Sequence, residues 1–349
     1  MAIKVLIVDD SATAREIIKS ILSQDRSIQI VGAAPNAYIA RDMIVKFCPD
    51  VICLDVEMPR MDGITFLQKI MTYLPTPVIM VSSLTQKGAQ TTLDALSFGA
   101  FDYIAKGHSN IYDKKDDIER ELITKVKQAA KANVSVLKAR VKKAKHPQVK
   151  KVYTLKETTK KIVLIGASTG GTVALQELLT TLPRNFPGIV IVQHMPDSFT
   201  AGFAARLDSM CQIEVKEAKD GETVQMGKAL IANGAYHIKV QQRGATYYVR
   251  YDDGDKVSGH KPSVDVMFNS GANAARSNAI GILLTGMGRD GAKGMVAMRN
   301  AGAKTIAQDE KTSVVYGMPK AAVGLGGVDF IEPLDNIGHR AISILKQQG

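Results

Sequence analysis

The sequence predicts an α/β protein built from two parallel-sheet domains. Three observations carry this. From Lys4 to about residue 125, short apolar runs alternate with helical stretches across short connections, the pattern of a parallel sheet covered by helices on both faces. From Lys161 onward three apolar runs, "KIVLIGAS", "GIVIVQHM" and "AIGILLTGMG", repeat that grammar, each closing on a polar cluster. Between the second and third lies "KALIANGAYHIKVQQRGATYYVRYDD", with β-branched and aromatic residues in period two and turn signals at Asn233-Gly234 and Arg243-Gly244. The expected architecture is a five-stranded parallel sheet in residues 1–122, a basic linker over 123–160, and a doubly wound α/β domain over 161–349. The second domain is expected to hold a mostly parallel sheet and an antiparallel hairpin. At 349 residues the chain exceeds one ordinary core, which independently favours two domains.

In the first domain "KVLIVDD" is a strand, and "SATAREIIKSIL" is a helix capped by Ser11. "IQIVGAA" and "NAYIARDMIVKF" follow as strand and helix, then "DVICLDV" and "GITFLQKIMTY", then "PVIMVSS" and "GAQTTLDALSFG". "FDYIAK" is the fifth strand, and a last helix runs from about Asp116 into the linker. Sites in such sheets form beyond the carboxyl ends of the strands, so the residues closing each strand are the ones to inspect.

Composition excludes several classes. No apolar run approaches the ~18 residues that span a bilayer, so no membrane insertion is expected. The opening "MAIKVLIVDD" is a strand and not a signal peptide, which makes the cytoplasm the expected compartment. Cys48, Cys53 and Cys211 lack metal-ligand spacing, and the first two read as core thiols. The net charge of +11 is localised: residues 125–161 hold thirteen Lys and Arg against the single acid Glu157. That segment reads as a helix tail entering a solvated connector, with a strip for an acidic partner as the alternative.

The strand ends of the first domain form one constellation. Asp9 and Asp10 close the first strand, Asp55 the third, Ser82 and Ser83 the fourth and Lys106 the fifth. Three clustered carboxylates repel one another unless a divalent cation sits among them, and hard oxygen ligands suit Mg²⁺. A carboxylate is also a nucleophile toward phosphorus. The chemistry expected is an aspartate that accepts a phosphoryl group, with Lys106 and Ser82 holding the new oxygens.

"LIVDDS", "CLDVEMPRMDG", "MVSS" and "FDYIAKG" resemble the flavodoxin-like receiver domains of two-component response regulators, across residues 1 to about 122. The resemblance implies that Asp55 is phosphorylated by a histidine kinase. It implies Asp10, Asp55 and the Glu57 carbonyl as Mg²⁺ ligands, with Asp9 adjacent. It also implies that Ser82 and Tyr103 are the switch hydroxyl and aromatic. Without it, Tyr103 reads as a half-buried sheet residue.

"GASTGG", residues 166–171, admits three readings. A dinucleotide loop wants an acid roughly 20 residues on, at the end of the next strand, but that strand ends in Gln193-His194. A nucleophile elbow, G-x-S-x-G, would have to recruit His237, His260 or His339, and these lie in the hairpin region, beyond it, and in a final helix. The third reading takes Ser168, His194 and Asp290, each at or just past the end of an apolar strand. Serine needs a base within hydrogen-bond reach, and the base needs a carboxylate to set its tautomer. The glycine-rich "TGMG" and the start of the helix after Ser168 offer N–H groups for an oxyanion.

"IGASTGG", "VQHMP", "HKPSVDVMF", "LLTGMGRDGA" and "VYGMP" are similar to the chemotaxis protein-glutamate methylesterases, from about Ile162 to Val328. This implies a Ser168–His194–Asp290 triad, with Thr169 and Met287 at the oxyanion site. It implies hydrolysis of γ-glutamyl methyl esters on the cytoplasmic domains of methyl-accepting chemoreceptors, and deamidation of receptor glutamines. No cofactor is expected for the ester chemistry. The phosphodonor would be the chemotaxis histidine kinase, and phosphorylation of Asp55 would relieve inhibition by the receiver. A regulator whose output binds nucleic acid is the rival, but no helix-turn-helix pattern follows residue 125. A general esterase for apolar esters is another, and the absence of tryptophan speaks against an aromatic-lined pocket.

Overall fold

The computed structural model describes residues 2–83, 86–106, 115–138 and 160–347. Two compact units divide the chain, Met1–Gln148 and Val149–Gly349. Most of the basic segment, residues 139–159, lies outside the described residues.

The first unit runs β1 (Ile3–Val8), α1 (Ala12–Leu22), β2 (Ile28–Ala34), α2 (Ala37–Phe47), β3 (Val51–Asp55), α3 (Gly63–Tyr73), β4 (Val78–Ser83), α4 (Gln86–Ser97), β5 (Asp102–Lys106) and α5 (Lys115–Ala129). Its five strands pair in the order β2-β1-β3-β4-β5, all parallel. The central strands are mainly apolar because helices cover both faces, and β3 and β4 turn polar only where they close, at Asp55 and at Ser82-Ser83. Helix starts follow their caps: Ser11 accepts from the Ala14 N–H at 3.3 Å, and Asp62 accepts from Thr65 at 2.8 Å.

Three expectations need correction here. Cys53 is a core thiol, its acidity suppressed to a pKa of about 12 by burial, but Cys48 is exposed. Cys48 is the left-handed C-cap of α2, a place set by chain reversal and not by hydrophobicity. Tyr103 is buried and not half-buried, because its ring lies under α5 with Lys125 Nζ 5.0 Å from its centre. The first cations of the basic segment belong to this unit's own folded surface: Lys125 pairs with Asp102 at 3.4 Å and Glu121 at 2.8 Å, and Lys127 pairs with Asp25.

The second unit runs β6 (Ile162–Ala167), α6 (Gly171–Leu179), β7 (Gly188–Gln193), α7 (Asp197–Asp208), β8 (Glu214–Glu217), β9 (Lys228–Ile231), β10 (His237–Arg243) and β11 (Thr246–Asp252). It continues with α8 (Val264–Ala275), β12 (Ala279–Leu283), α9 (Ala292–Asn300), β13 (Lys304–Gln308), α10 (Met318–Gly324), β14 (Phe330–Glu332) and α11 (Leu334–Gln347). Seven strands form one sheet in the order β14-β13-β12-β6-β7-β9-β8, and every pairing in it is parallel. β10 and β11 form a separate antiparallel pair that reverses at Gly244, whose φ is +60°.

"KALI" therefore departs from the hairpin reading. It is β9, a parallel strand of the main sheet, and Asn233-Gly234 is the link from the sheet to the hairpin. One lysine followed by three apolar residues suits a buried parallel strand as well as a hairpin arm, and the burial of Ala229, Leu230 and Ile231 decides. The hairpin packs its Ile238, Val240, Tyr247 and Val249 against Val264, Met267 and Phe268 of α8. This anchors the start of α8, which matters for the site below.

β6 lies at the middle of the sheet, flanked by β12 and β7. Its register sets Gly166 beside Leu283 on one side and Ala167 beside Gln193 on the other. Three loops therefore leave adjacent strand ends together, after Ala167, Gln193 and Leu283.

Candidate functional site

Ser168, His194 and Asp290 meet at that edge. His194 Nδ1 lies 3.1 Å from Ser168 Oγ, and His194 Nε2 lies 2.8 Å from Asp290 Oδ2. All three are sheltered: Ser168 is 9% and Asp290 1% exposed, and the His194 side chain 8%.

The backbone around them is tightly held. The Ser168 N–H donates to the Thr285 carbonyl at 3.1 Å, and the His194 N–H donates to the Ala167 carbonyl at 3.1 Å. Gln193 Nε2 donates to both the Ser168 carbonyl (3.0 Å) and the His194 carbonyl (3.1 Å), which ties the two loops together. Thr285 Oγ1 donates to the Thr169 carbonyl at 3.0 Å, which ties in the third. Ser168 does not take the left-handed backbone; Gly170 does, at φ +76°.

Asp290 sits in a cradle of donors. Oδ1 accepts from Ser263 Oγ (2.7 Å), the Asp265 N–H (3.0 Å) and the Gly291 N–H (3.1 Å). Oδ2 accepts from the Val264 N–H at 2.7 Å besides His194. Val264 and Asp265 open α8, so the positive end of that helix faces the carboxylate. Burial works against the charge, but His194, Ser263 and Val264 together outweigh it and hold the pKa down at about 2. The neighbouring Asp265 is pushed the other way, first by burial and then by the charge of Asp290, against the opposing hydrogen bond from Gly294.

These facts assign the protons. An ionised carboxylate only accepts, so His194 Nε2 carries the hydrogen. Nδ1 then holds a lone pair pointed at the Ser168 hydroxyl, the arrangement a general base requires.

Thr169 and Met287 lie in two of the loops that meet at Ser168. Thr169 is buried at the turn into α6. Met287 is half-buried, next to Gly286. At Gly286 a Cβ would stand 2.8 Å from Ser168 Cβ and 2.3 Å from Met318 Sδ, so only glycine lets this loop approach. Gly286→Ala is expected to displace Ser168 and lower kcat by roughly 10–100-fold, since a misplacement near 1 Å has that effect. Single-turnover kinetics on the folded variant check it.

The site has members that the sequence analysis did not assign. His260 stacks on His194, ring centres 3.8 Å apart and 12° from parallel. His237 is 1% exposed and accepts the Ser263 N–H at Nδ1 (3.0 Å), while its Nε2 meets the Asp255 carbonyl at 2.9 Å. One nitrogen must accept and the other donate, so this imidazole is neutral. "HKPSVDV" marks the cap of α8 in the sequence, since Ser263 precedes an apolar helix. Nothing local says which carboxylate that helix end grips.

At the corresponding edge of the first unit, Asp9, Asp10 and Asp55 bring carboxylate oxygens within 4.8 Å of one another. Asp9 and Asp55 are buried, and Asp10 is exposed. Arg15 holds the Asp9 and Asp10 carbonyls at 2.7 and 3.1 Å. A Cβ at Gly63 would stand 2.0 Å from the Asp55 carbonyl, which accounts for the glycine that follows Asp62. Glu57 is exposed two residues beyond Asp55. Ser82 is buried at the end of β4, its Oγ 3.3 Å from the Gly88 carbonyl, and Tyr103 lies on the adjacent β5, opposite Met80. Lys106 closes β5 opposite Ser83, and the side chains of both lie outside the described residues. A cluster of hard, anionic oxygens fits a divalent cation such as Mg²⁺.

The comparisons agree with both halves. The family model for CheB methylesterase matches residues 163–341, and that for the response regulator receiver domain matches residues 5–112. The chain is 58% identical over 354 aligned positions to the protein-glutamate methylesterase/protein-glutamine glutaminase of Sulfurimonas denitrificans, covering 100% of both chains. It is 50% identical to the like-named protein of Syntrophotalea carbinolica, covering 99% of this chain and 98% of the other. Among solved structures, the CheB methylesterase catalytic domain of Thermotoga maritima matches with a TM-score of 0.52 at 40% identity, covering 54% of this chain and 100% of that one. The chain belongs to the CheB methylesterase family, with a response regulator receiver domain ahead of the methylesterase domain.

Proposed function

We propose that the chain is a phosphorylation-regulated serine hydrolase that demethylates γ-glutamyl methyl esters on the cytoplasmic domains of chemoreceptors. The same site deamidates receptor glutamines. The contact chain Ser168–His194–Asp290, at 3.1 and 2.8 Å, carries this reading. Ser168 Oγ attacks the acyl carbon while His194 Nδ1 takes its proton. The oxyanion faces N–H groups near Thr169 and Met287. The proton on Nδ1 then goes to the departing methoxide, releasing methanol, or to the departing amine, releasing ammonia. Water, deprotonated by Nδ1, hydrolyses the acyl-enzyme and restores Ser168. Throughout, Asp290 holds Nε2–H and offsets the charge that forms on the ring.

In the receiver, Asp55 accepts the phosphoryl group from a chemotaxis histidine kinase, with Ser82, Tyr103 and Lys106 responding to it. Asp9, Asp10, Asp55 and the Glu57 carbonyl would hold Mg²⁺, which when bound neutralises their charge. Phosphorylation relieves inhibition that the receiver exerts on the esterase. The cytoplasm is the compartment this function needs, and no described helix is long and apolar enough to cross a membrane.

Methanol release from methylated receptor membranes tests both parts. A small-molecule phosphodonor is expected to raise the wild-type rate within the ~5–150-fold range of allosteric couplings and leave Asp55→Asn unchanged. No methanol from the wild type overturns the activity, and equal rates with and without phosphodonor overturn the regulation.

A further inference from the structure

Between β11 and α8 the chain makes a small loop from which two residues touch two different members of the triad. Val257 and His260 exchange both backbone hydrogen bonds at 3.0 Å, closing a tight turn. Ser258 and Gly259 occupy its centre with φ of +55° and +82°. Consecutive left-handed residues define a turn of type I′, and a serine there is held against its preference. Such strain persists where the surroundings over-determine it.

The surroundings do so on both sides. At one end of the loop the His260 ring lies flat on His194 at 3.8 Å. Three residues on, the Ser263 hydroxyl donates to Asp290 Oδ1 at 2.7 Å. His237 pins the segment from beneath by bridging the Asp255 carbonyl and the Ser263 N–H. Lys261 reaches back to Asp253 at 2.8 Å.

We propose that residues 257–263 form a brace that positions the imidazole and the carboxylate together, with His260 and Ser263 as positioning residues. This rests on the hydrolase reading above. The ring of His260 blocks one face of His194, so the base cannot tilt away from Ser168. When His194 takes the serine proton, its positive charge forms against a π face, which attracts a cation. Ser263 keeps Asp290 rotated so that Oδ2 stays on Nε2–H. The two contacts share one short loop, so loss of either loosens the other.

The test is steady-state kinetics of methanol release by the full chain with His260→Ala, His260→Phe, Ser263→Ala, and the double variant His260→Ala/Ser263→Ala. Each alanine variant is expected to lower kcat roughly 10-fold, the scale of a desolvated cation–π contact or a hydrogen bond to a charge, with KM moving less than about twofold. His260→Phe restores a flat face and is expected to recover most of kcat. The double variant is expected to lose less than the product of the single losses, because the residues act through one element. The brace is overturned if kcat stays at the wild-type value in the alanine variants, if the loss falls on KM alone, if His260→Phe is no better than His260→Ala, or if the two losses multiply. Thermal midpoints accompany the kinetics; where His260→Ala does not fold, the comparison of His260→Phe with wild type decides, and a 10-fold deficit there overturns the proposal. Ser168→Ala is run alongside. If it turns over at the wild-type rate, the hydrolase reading fails; if it is inactive while the loop variants match wild type, only the brace fails.

Discussion

Ser168→Ala is expected to abolish methanol release from methylated receptor membranes, lowering kcat by about 10⁵–10⁶-fold, the range for loss of the nucleophile in a triad enzyme. The substitution removes one oxygen from a site whose backbone is fixed by Thr285, Gly171 and Gln193, so the fold has no reason to change. Affinity for the receptor should persist, and labelling by a serine-reactive organophosphonate should vanish. A labelled Ser168→Ala protein would mean that another hydroxyl is the nucleophile. Residual turnover at a tenth of the wild-type rate would mean that water attacks directly.

Asp290→Asn is expected to cost about 10⁴-fold in kcat, because an amide can donate to His194 Nε2 and move the ring hydrogen to Nδ1, where a base is needed. Five donors surround the carboxylate, so the amide NH₂ meets at least one donor whichever way it turns. Stability falls as well, and its pH dependence has a definite sign. The folded pKa of Asp290 is about 2 against 3.8 for a free carboxyl, a depressed value. The stabilisation is therefore complete above pH 3.8 and lost as the pH falls through 2. The wild type should lose about 2 kcal/mol over that interval from this group, and Asp290→Asn should not. Urea midpoints of the two proteins from pH 5 to pH 2 measure the difference; parallel curves would show that the cradle does not stabilise the charge.

The residues that close strands were readable from sequence because parallel sheets deliver all their carboxyl ends to one edge. Asp9, Asp10 and Asp55 converge for this reason, as do Ser168, His194 and Asp290. The hairpin was readable from its alternation and from Gly244. What escaped is what tertiary packing alone decides. "KALI" has too few residues to separate a buried parallel strand from a hairpin arm. Cys48 sits beside an apolar run but caps a helix at the surface. Lys125 and Lys127 read as linker charges; Glu121, four residues before Lys125 on the same helix, is a local signal, but Asp102 and Asp25 reach them only through the fold. His237, His260 and Ser263 lie 26 or more residues from the partners they serve, and no spacing rule connects a helix cap to a carboxylate 27 positions on.

The two-stranded β10–β11 ribbon stands outside the seven-stranded sheet, held by one apolar face against α8 and by backbone hydrogen bonds from β11 to residues 221–224. Its far tip, Gly244, has open space where a side chain would be. A fluorophore or a guest domain spliced in at this tip would ride on the enzyme without entering its core. That makes the tip a natural handle for following the methylesterase half in a binding measurement.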